Sequence, residues 1–370
     1  MSLLRACENG DLEMFKYLIE NAGCDANYQL GYSLVEIACI NGHLDVLKYL
    51  VEKGADMRIR KDCPLQLAAK NGHLDVVKFL VEKGADVHAS DDRAFYRACE
   101  FGHLDVVQFL IEKGANVNVH DDWGCAVGFA SRFGYLEIVK LLVENGTDIH
   151  IYDNFAIRNA ARNGHLEIVK LLIQNGADIQ TQNDYAICHA ARNGHLEIVK
   201  LLIQNGADIH AQNNYAICYA AHNGHLDVVK FLVENGAKFK NNVAIHWASE
   251  YGHFNVVKFL IEKGADVNWR NGDDNDTGGG FAISQAFFNR EFEIVKLLVE
   301  NGANTHISVF SDEDRHTIMS YISLRKKAEI RAANKIGSWW IPICYDLNRE
   351  CGKRMMERSW ERVKAMYEAL

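Results

Sequence analysis

The chain lacks the features that mark membrane-spanning, secreted and catalytic proteins. No apolar run in its 370 residues approaches the roughly 18 needed to cross a bilayer. The opening stretch carries Glu8 and Asp11 where a secretory leader is apolar, so an intracellular protein is expected. None of the ten cysteines forms a C-x-x-C pair. They stand far apart, and several fill slots where other copies of an internal repeat have alanine or serine, which reads as small buried thiols. There is no G-x-x-x-x-G-K-[ST] phosphate loop, no G-x-G-x-x-G after a strand and no G-x-S-x-G elbow. Serine, histidine and aspartate are plentiful, but nothing groups them for nucleophilic catalysis. No enzyme, no cofactor and no metal is therefore expected.

Basic charge is also scarce where a polyanion would need it. Residues 311–370 carry 12 Lys+Arg against 9 Asp+Glu, a net of +3. With the whole chain at −9, residues 1–310 stand at −12. A phosphate-backbone partner needs clustered lysine and arginine, so no nucleic acid is expected, and no membrane.

What is abundant is self-similarity. A short turn recurs as Asn9-Gly10-Asp11-Leu12, Asn41-Gly42-His43-Leu44, Asn71-Gly72-His73-Leu74, Phe101-Gly102-His103-Leu104 and Phe133-Gly134-Tyr135-Leu136. It continues as Asn163-Gly164-His165-Leu166, Asn193-Gly194-His195-Leu196, Asn223-Gly224-His225-Leu226 and Tyr251-Gly252-His253-Phe254, with a degenerate tenth copy at Asn289-Arg290-Glu291-Phe292. The glycines are 32, 30, 30, 32, 30, 30, 30 and 28 residues apart. Repeat 6 shows the unit. Ala156–Asn163 reads as a short helix, and Gly164 supplies the positive φ that ends it. Leu166–Gln174 reads as a second helix, with Leu166, Val169, Leu172 and Ile173 forming its apolar face. Two helices this short cannot bury their own faces, so neighbouring units must stack.

These blocks resemble the ankyrin family. Leu65, Ala68-Ala69, Gly72-His73-Leu74, Val77, Leu80 and Gly84-Ala85-Asp86 follow its pattern, and Ala244-Ile245-His246-Trp247-Ala248-Ser249 is similar to its P-L-H-x-A-A block. The resemblance covers residues 1–306. It implies an all-α solenoid of about ten helix-turn-helix units with short β-turn fingers. It also implies a non-catalytic scaffold that binds a protein through finger tips and first helices, and that the His of the G-H slot fixes the turn by hydrogen bonds. The family period is about 33 residues, and most units here have 30. The residues missing are those that normally cap the first helix. Asp92, Asn154, Asp184, Asn214 and Asn242, each two residues before the helix-opening alanine, are predicted to cap instead. Units 2 and 5 keep Gly31 and Gly124 and are longer. Residues 160–179 and 190–209 are identical, as after an internal duplication.

Variation marks the candidate binding surface. One column after the Ala-Ala pair reads Ile40, Lys70, Glu100, Arg132, Arg162, Arg192, His222 and Glu250, basic at its centre within an acidic array. A second column, before that pair, includes His189, Tyr219 and Trp247. Arginine and aromatic residues are enriched at binding hot spots, so Arg132, Arg162, Arg192, His222, His189, Tyr219 and Trp247 are the candidate protein-binding residues. A third column, Phe155, Tyr185, Tyr215 and Phe281, is expected to stack between adjacent fingers. The insertion Asn271–Gly280 is faintly like a calcium loop, but position 12 is Ser284 rather than a glutamate, so a surface loop is expected.

The repeat ends near His306. Residues 307–370 are expected to form a helical C-terminal cap or a partner-docking segment. A helix is predicted over about Arg315–Asn334, a break at Gly337, and an amphipathic helix over Lys353–Leu370, with Pro342 barring a regular helix interior. The near-identical GHLEIVKLLIQNGADI units and the tail Trp339–Met355 resemble the multi-copy ankyrin proteins of giant DNA viruses of amoebae. That resemblance implies action on a host protein in the host cytoplasm, the nucleus being the other setting. A monomer is expected. The alternative is a substrate adaptor whose tail recruits a ubiquitin ligase, although the tail shows no F-box opening of the L-P type.

Overall fold

A computed structural model describes residues 2–344, apart from 23–24, 26–28, 31, 60–61, 122–123, 240–242, 270–281 and 307–309. The insertion at 271–280, the helix expected over 353–370, and Gly31, Asn242 and Phe281 lie outside the described residues. The chain forms two compact units, residues 1–239 and 240–370.

The first compact unit holds repeats 1 to 8. Each is a pair of helices joined by the glycine turn, as in repeat 6, where the segment Ile151–Asn163, kinked at residues 152–154, is followed by Leu166–Gln174. Successive first helices pack closely on one another, and successive second helices more lightly. The core runs between the two rows. Ala160, Ala161, Val169 and Leu172 are fully buried, and so are their counterparts Ala190, Ala191, Val199 and Leu202 in repeat 7. Alanine at the paired positions lets first helices approach, while Val and Leu fill the layer behind. The apolar face of the second helix is centred differently from expectation. Ile168, Val169 and Leu172 are buried, whereas Leu166 and Ile173 are only half-buried. The second helices pack closely on the first-helix row and only lightly on one another, so a residue on the rim of the stripe keeps part of its surface in water.

The glycine turn does two jobs. Gly164 has φ of 86°, a left-handed conformation that costs other residues about 1–2 kcal/mol. A Cβ there would also stand 2.7 Å from the ring of His195 in the next repeat. That ring lies over the turn so that its Nε2 meets the Arg162 carbonyl at 3.1 Å. The same contact joins His73 to Ile40, His103 to Lys70 and His225 to Arg192. The histidine thus fastens one repeat to the one before it.

The entry to the first helix departs from the capping expectation. In the longer repeats 2 and 5 it is a small antiparallel hairpin, Gln29–Leu30 with Tyr32–Ser33 and His120–Asp121 with Gly124–Cys125. In repeats 4 and 6 it is a left-handed turn of three consecutive non-glycine residues, Ser90-Asp91-Asp92 and Tyr152-Asp153-Asn154, with φ between 53° and 56°. Gln182 and Asp184, and Gln212 and Asn214, repeat the geometry in repeats 7 and 8. Asp92, Asn154, Asp184 and Asn214 do not cap their own helices. Their side chains accept the backbone N–H groups of Asn116, Asp178, Asp208 and Lys238, each 24 residues on, at 2.9–3.1 Å. A left-handed backbone swings the short side chain away from its own helix and toward the next loop. Each bond offsets part of the cost of the turn.

The second compact unit holds repeats 9 and 10, with first helices Ala244–Glu250 and Ala282–Phe288, and a long helix, Asp312–Cys344. The expected break at Gly337 is absent. One interior glycine costs only about 1 kcal/mol. The start of this helix lies over repeat 10. Ile318 is fully buried, the Tyr321 ring packs at 5.2 Å from Phe292, and Glu293 accepts from the Tyr321 hydroxyl at 2.8 Å and from the Arg325 guanidinium.

Candidate protein-binding surface

Seven described cysteines carry free thiols, six of them buried in the helical core. Burial pushes Cys188 and Cys218 up to about 12 and Cys125 to about 11, which keeps them protonated and unreactive. Among the described residues no cluster of His, Cys, Asp or Glu is arranged to hold a metal ion, and no helix is long and apolar enough to cross a membrane.

Arg132, Arg162 and Arg192 occupy one slot near the ends of three consecutive first helices, and all three are exposed. No carboxylate lies within ion-pair distance of any of them among the described residues. Arg132 lies over the Phe133 ring at 5.6 Å, and Arg192 over the Tyr219 ring of the next repeat at 5.4 Å. Between Arg162 and Arg192 sits His189, half-buried, its ring stacked on Tyr185 at 3.8 Å and 6.3 Å from Tyr219. Burial first, and then the positive field of Arg162, Arg192 and Arg158, push its pKa down to about 4. His189 is therefore neutral at pH 7, and its Nδ1 is buried with no hydrogen-bond partner among the described residues.

The candidate residues are thus only partly brought together. Arg162, His189, Arg192 and Tyr219 form one patch, with Arg132 one repeat away. His222 is half-buried, with Nδ1 at 3.0 Å from the side chain of Asn223. Trp247, also half-buried, belongs to the second compact unit. The expected stacking between neighbouring fingers is not found for Tyr185 and Tyr215, which pack along their own helices on His189 and Tyr219. Residues four apart on a helix lie about 5–6 Å apart, whereas neighbouring helix axes are about 8–10 Å apart, so the nearer partner wins. Phe155 does cross to the preceding repeat, edge-on to Phe129 at 6.1 Å.

Arg158 is a residue the sequence reading passed over. It donates to the carbonyls of Asp153 at 2.8 Å and Tyr152 at 2.7 Å and to Gln182 Oε1 at 2.9 Å. It thereby ties down the left-handed turn of repeat 6 while lying 5.2 Å over the Tyr185 ring. Its signal was available: the same column holds Tyr96, Gly128, Cys188 and Cys218, with Arg158 the sole cation among them.

A family model of ankyrin repeats in three copies matches seven overlapping windows, 3–91, 59–121, 90–153, 127–213, 157–242, 187–271 and 218–309. The chain belongs to the ankyrin-repeat family. The windows together span residues 3–309, which takes in all ten helix pairs of this all-α array. Ankyrin repeats mediate protein–protein interaction, and proteins built from them are typically non-catalytic scaffolds. No curated protein matches the chain.

Proposed function

We propose that this ankyrin protein is a non-catalytic scaffold that captures a protein partner on the first-helix surface of repeats 5 to 8. The observation that carries the reading is a column of three exposed arginines without carboxylate partners, in an array of net charge −12. An arginine lying over an aromatic ring keeps its planar donor fork aligned for a partner's carboxylate. The half-buried Tyr219 and His189 supply apolar surface beside it, the pairing common at binding hot spots. That the partner is a host protein, met in the cytoplasm, rests on the likeness of the repeats and tail to viral ankyrin proteins. The contacts of Ile318, Tyr321 and Arg325 with repeat 10 support reading the tail as a lid on the array rather than as a ligase-recruiting arm.

The test is a double charge reversal, Arg162→Glu with Arg192→Glu, on the full chain. Partner capture is expected to be lost while the circular dichroism spectrum is unchanged. Undiminished capture by a folded double variant would sink the reading.

A further inference from the structure

The arginine column also has a spacing, and the spacing selects a ligand. Arg132, Arg162 and Arg192 fill the same slot in consecutive repeats, so their separation follows that of packed helices, about 8–10 Å. A β-strand presents same-face side chains every second residue, about 6.7 Å apart, which falls short. A polyproline II segment rises about 3.1 Å per residue with three residues per turn, so it returns to the same face every ~9.3 Å. Only the second period keeps step with the helices.

The surface between the arginines fits such a chain. Tyr215 is exposed, and Tyr185, His189 and Tyr219 are half-buried, so together they offer ring faces and edges. Aromatic-lined surfaces are where proline-rich segments dock, because the pre-extended chain loses little entropy on binding. The guanidinia supply positive charge that nothing in the described chain neutralises, and the His189 Nδ1 is a buried polar atom without a partner in the same patch.

Resting on the scaffold reading above, we propose that the column is a docking track for an acidic peptide in the polyproline II form, with one carboxylate every third residue meeting one arginine per repeat. A polynucleotide fits less well. Its backbone carries a charge at every nucleotide, and beyond these few arginines it would face an array of net charge −12.

The track has its own reporter. The positive field of Arg162 and Arg192 helps to hold His189 at about 4. A seated chain changes both causes, burying the ring further while its carboxylate cancels part of that field, so the titration of His189 shifts when the track is filled.

The test is a fluorescence-anisotropy titration of the full chain against a labelled peptide of four Glu-Pro-Pro triplets. Two further probes are a peptide of the same composition with its glutamates in one block, and an oligothymidylate. The triplet peptide is expected to bind at least ten-fold more tightly than either. Arg162→Ala is expected to weaken it at least ten-fold, Arg162→Lys is expected to restore only part of the loss, and the His189 resonance is expected to titrate at a different pH in the complex. Equal binding of the block peptide, tighter binding of the oligothymidylate, or binding without movement of His189 would each overturn the proposal. If no peptide binds while the Arg162→Glu, Arg192→Glu protein still loses partner capture, the peptide proposal falls and the scaffold reading stands.

Discussion

Arg93 and Arg97 in repeat 4 and Arg162 and Arg192 in repeats 6 and 7 all rise from first helices of the same stack, yet their surroundings are opposite. Arg93 meets the Asp121 carboxylate at 2.6 Å, and the Tyr96 hydroxyl donates to the other oxygen of Asp121 at 2.9 Å. Arg97 pairs with Glu100 at 2.5 Å. Repeat 4 therefore consumes its own cations internally, Arg93 fastening its first helix to the hairpin of repeat 5 and Arg97 pairing along the helix itself. Arg162 and Arg192 are exposed and have no carboxylate partner among the described residues. One fold uses the same residue type as an internal clamp in one place and leaves it available to a partner in another, and the neighbouring acid makes the difference.

The comparison breaks most visibly at Asp121. Asp121→Ala strands Arg93 and the buried Tyr96 hydroxyl together, and is expected to cost about 2–4 kcal/mol in urea unfolding. A smaller effect follows pH. The His189 pKa is depressed in the folded protein, so the unfolded chain binds its proton first. Stability from this residue is fully present above about 6.5 and is lost as pH falls toward about 4. His189→Tyr, which copies the residue at Tyr219, is expected to flatten the fall in melting temperature across that window.

Asp184 sharpens the comparison in the other direction. Burial raises its pKa, so the folded state prefers the protonated acid, and its contribution is lost as pH rises through that raised value. Repeats 6 and 8 use Asn154 and Asn214 for the same inter-repeat bond. Asp184→Asn is therefore expected to be neutral or stabilising by up to about 1 kcal/mol at pH 7, with the gain shrinking near pH 3.5. Smallest of all is Arg162→Ala, expected to change unfolding free energy by less than about 0.5 kcal/mol because it removes no internal bond. A large loss there would make Arg162 a clamp like Arg93.

The helix pairs were legible because the repeat fixes them. Leu166–Gln174 was read to the residue, since the glycine turns on either side allow one register. The left-handed turns were not. Asp or Asn two residues before a helix signals an N-cap and a left-handed turn alike, and the partner that decides between them, such as Asp208 for Asp184, lies 24 residues away. The arginine column was legible as a column. Its lack of acids was not, because Glu100 and Asp121 look alike in sequence and only packing shows which arginine each one reaches. The identical segments 160–179 and 190–209 show where the information sits. Both copies make the same histidine bond, at 3.1 Å to Arg132 and to Arg162. What differs precedes them: Phe155, Arg158 and Asn159 in one copy, Tyr185, Cys188 and His189 in the other.

The central claim is that repeats 5 to 8 meet the partner through the first-helix surface while repeat 4 does not. Photo-cross-linking residues placed singly at positions 97, 132, 162, 192 and 170, the last a half-buried position on a second helix, test it directly. The expected result is partner cross-linking from 132, 162 and 192 and none from 97 or 170. Cross-links of equal yield at 97 or 170 would contradict it.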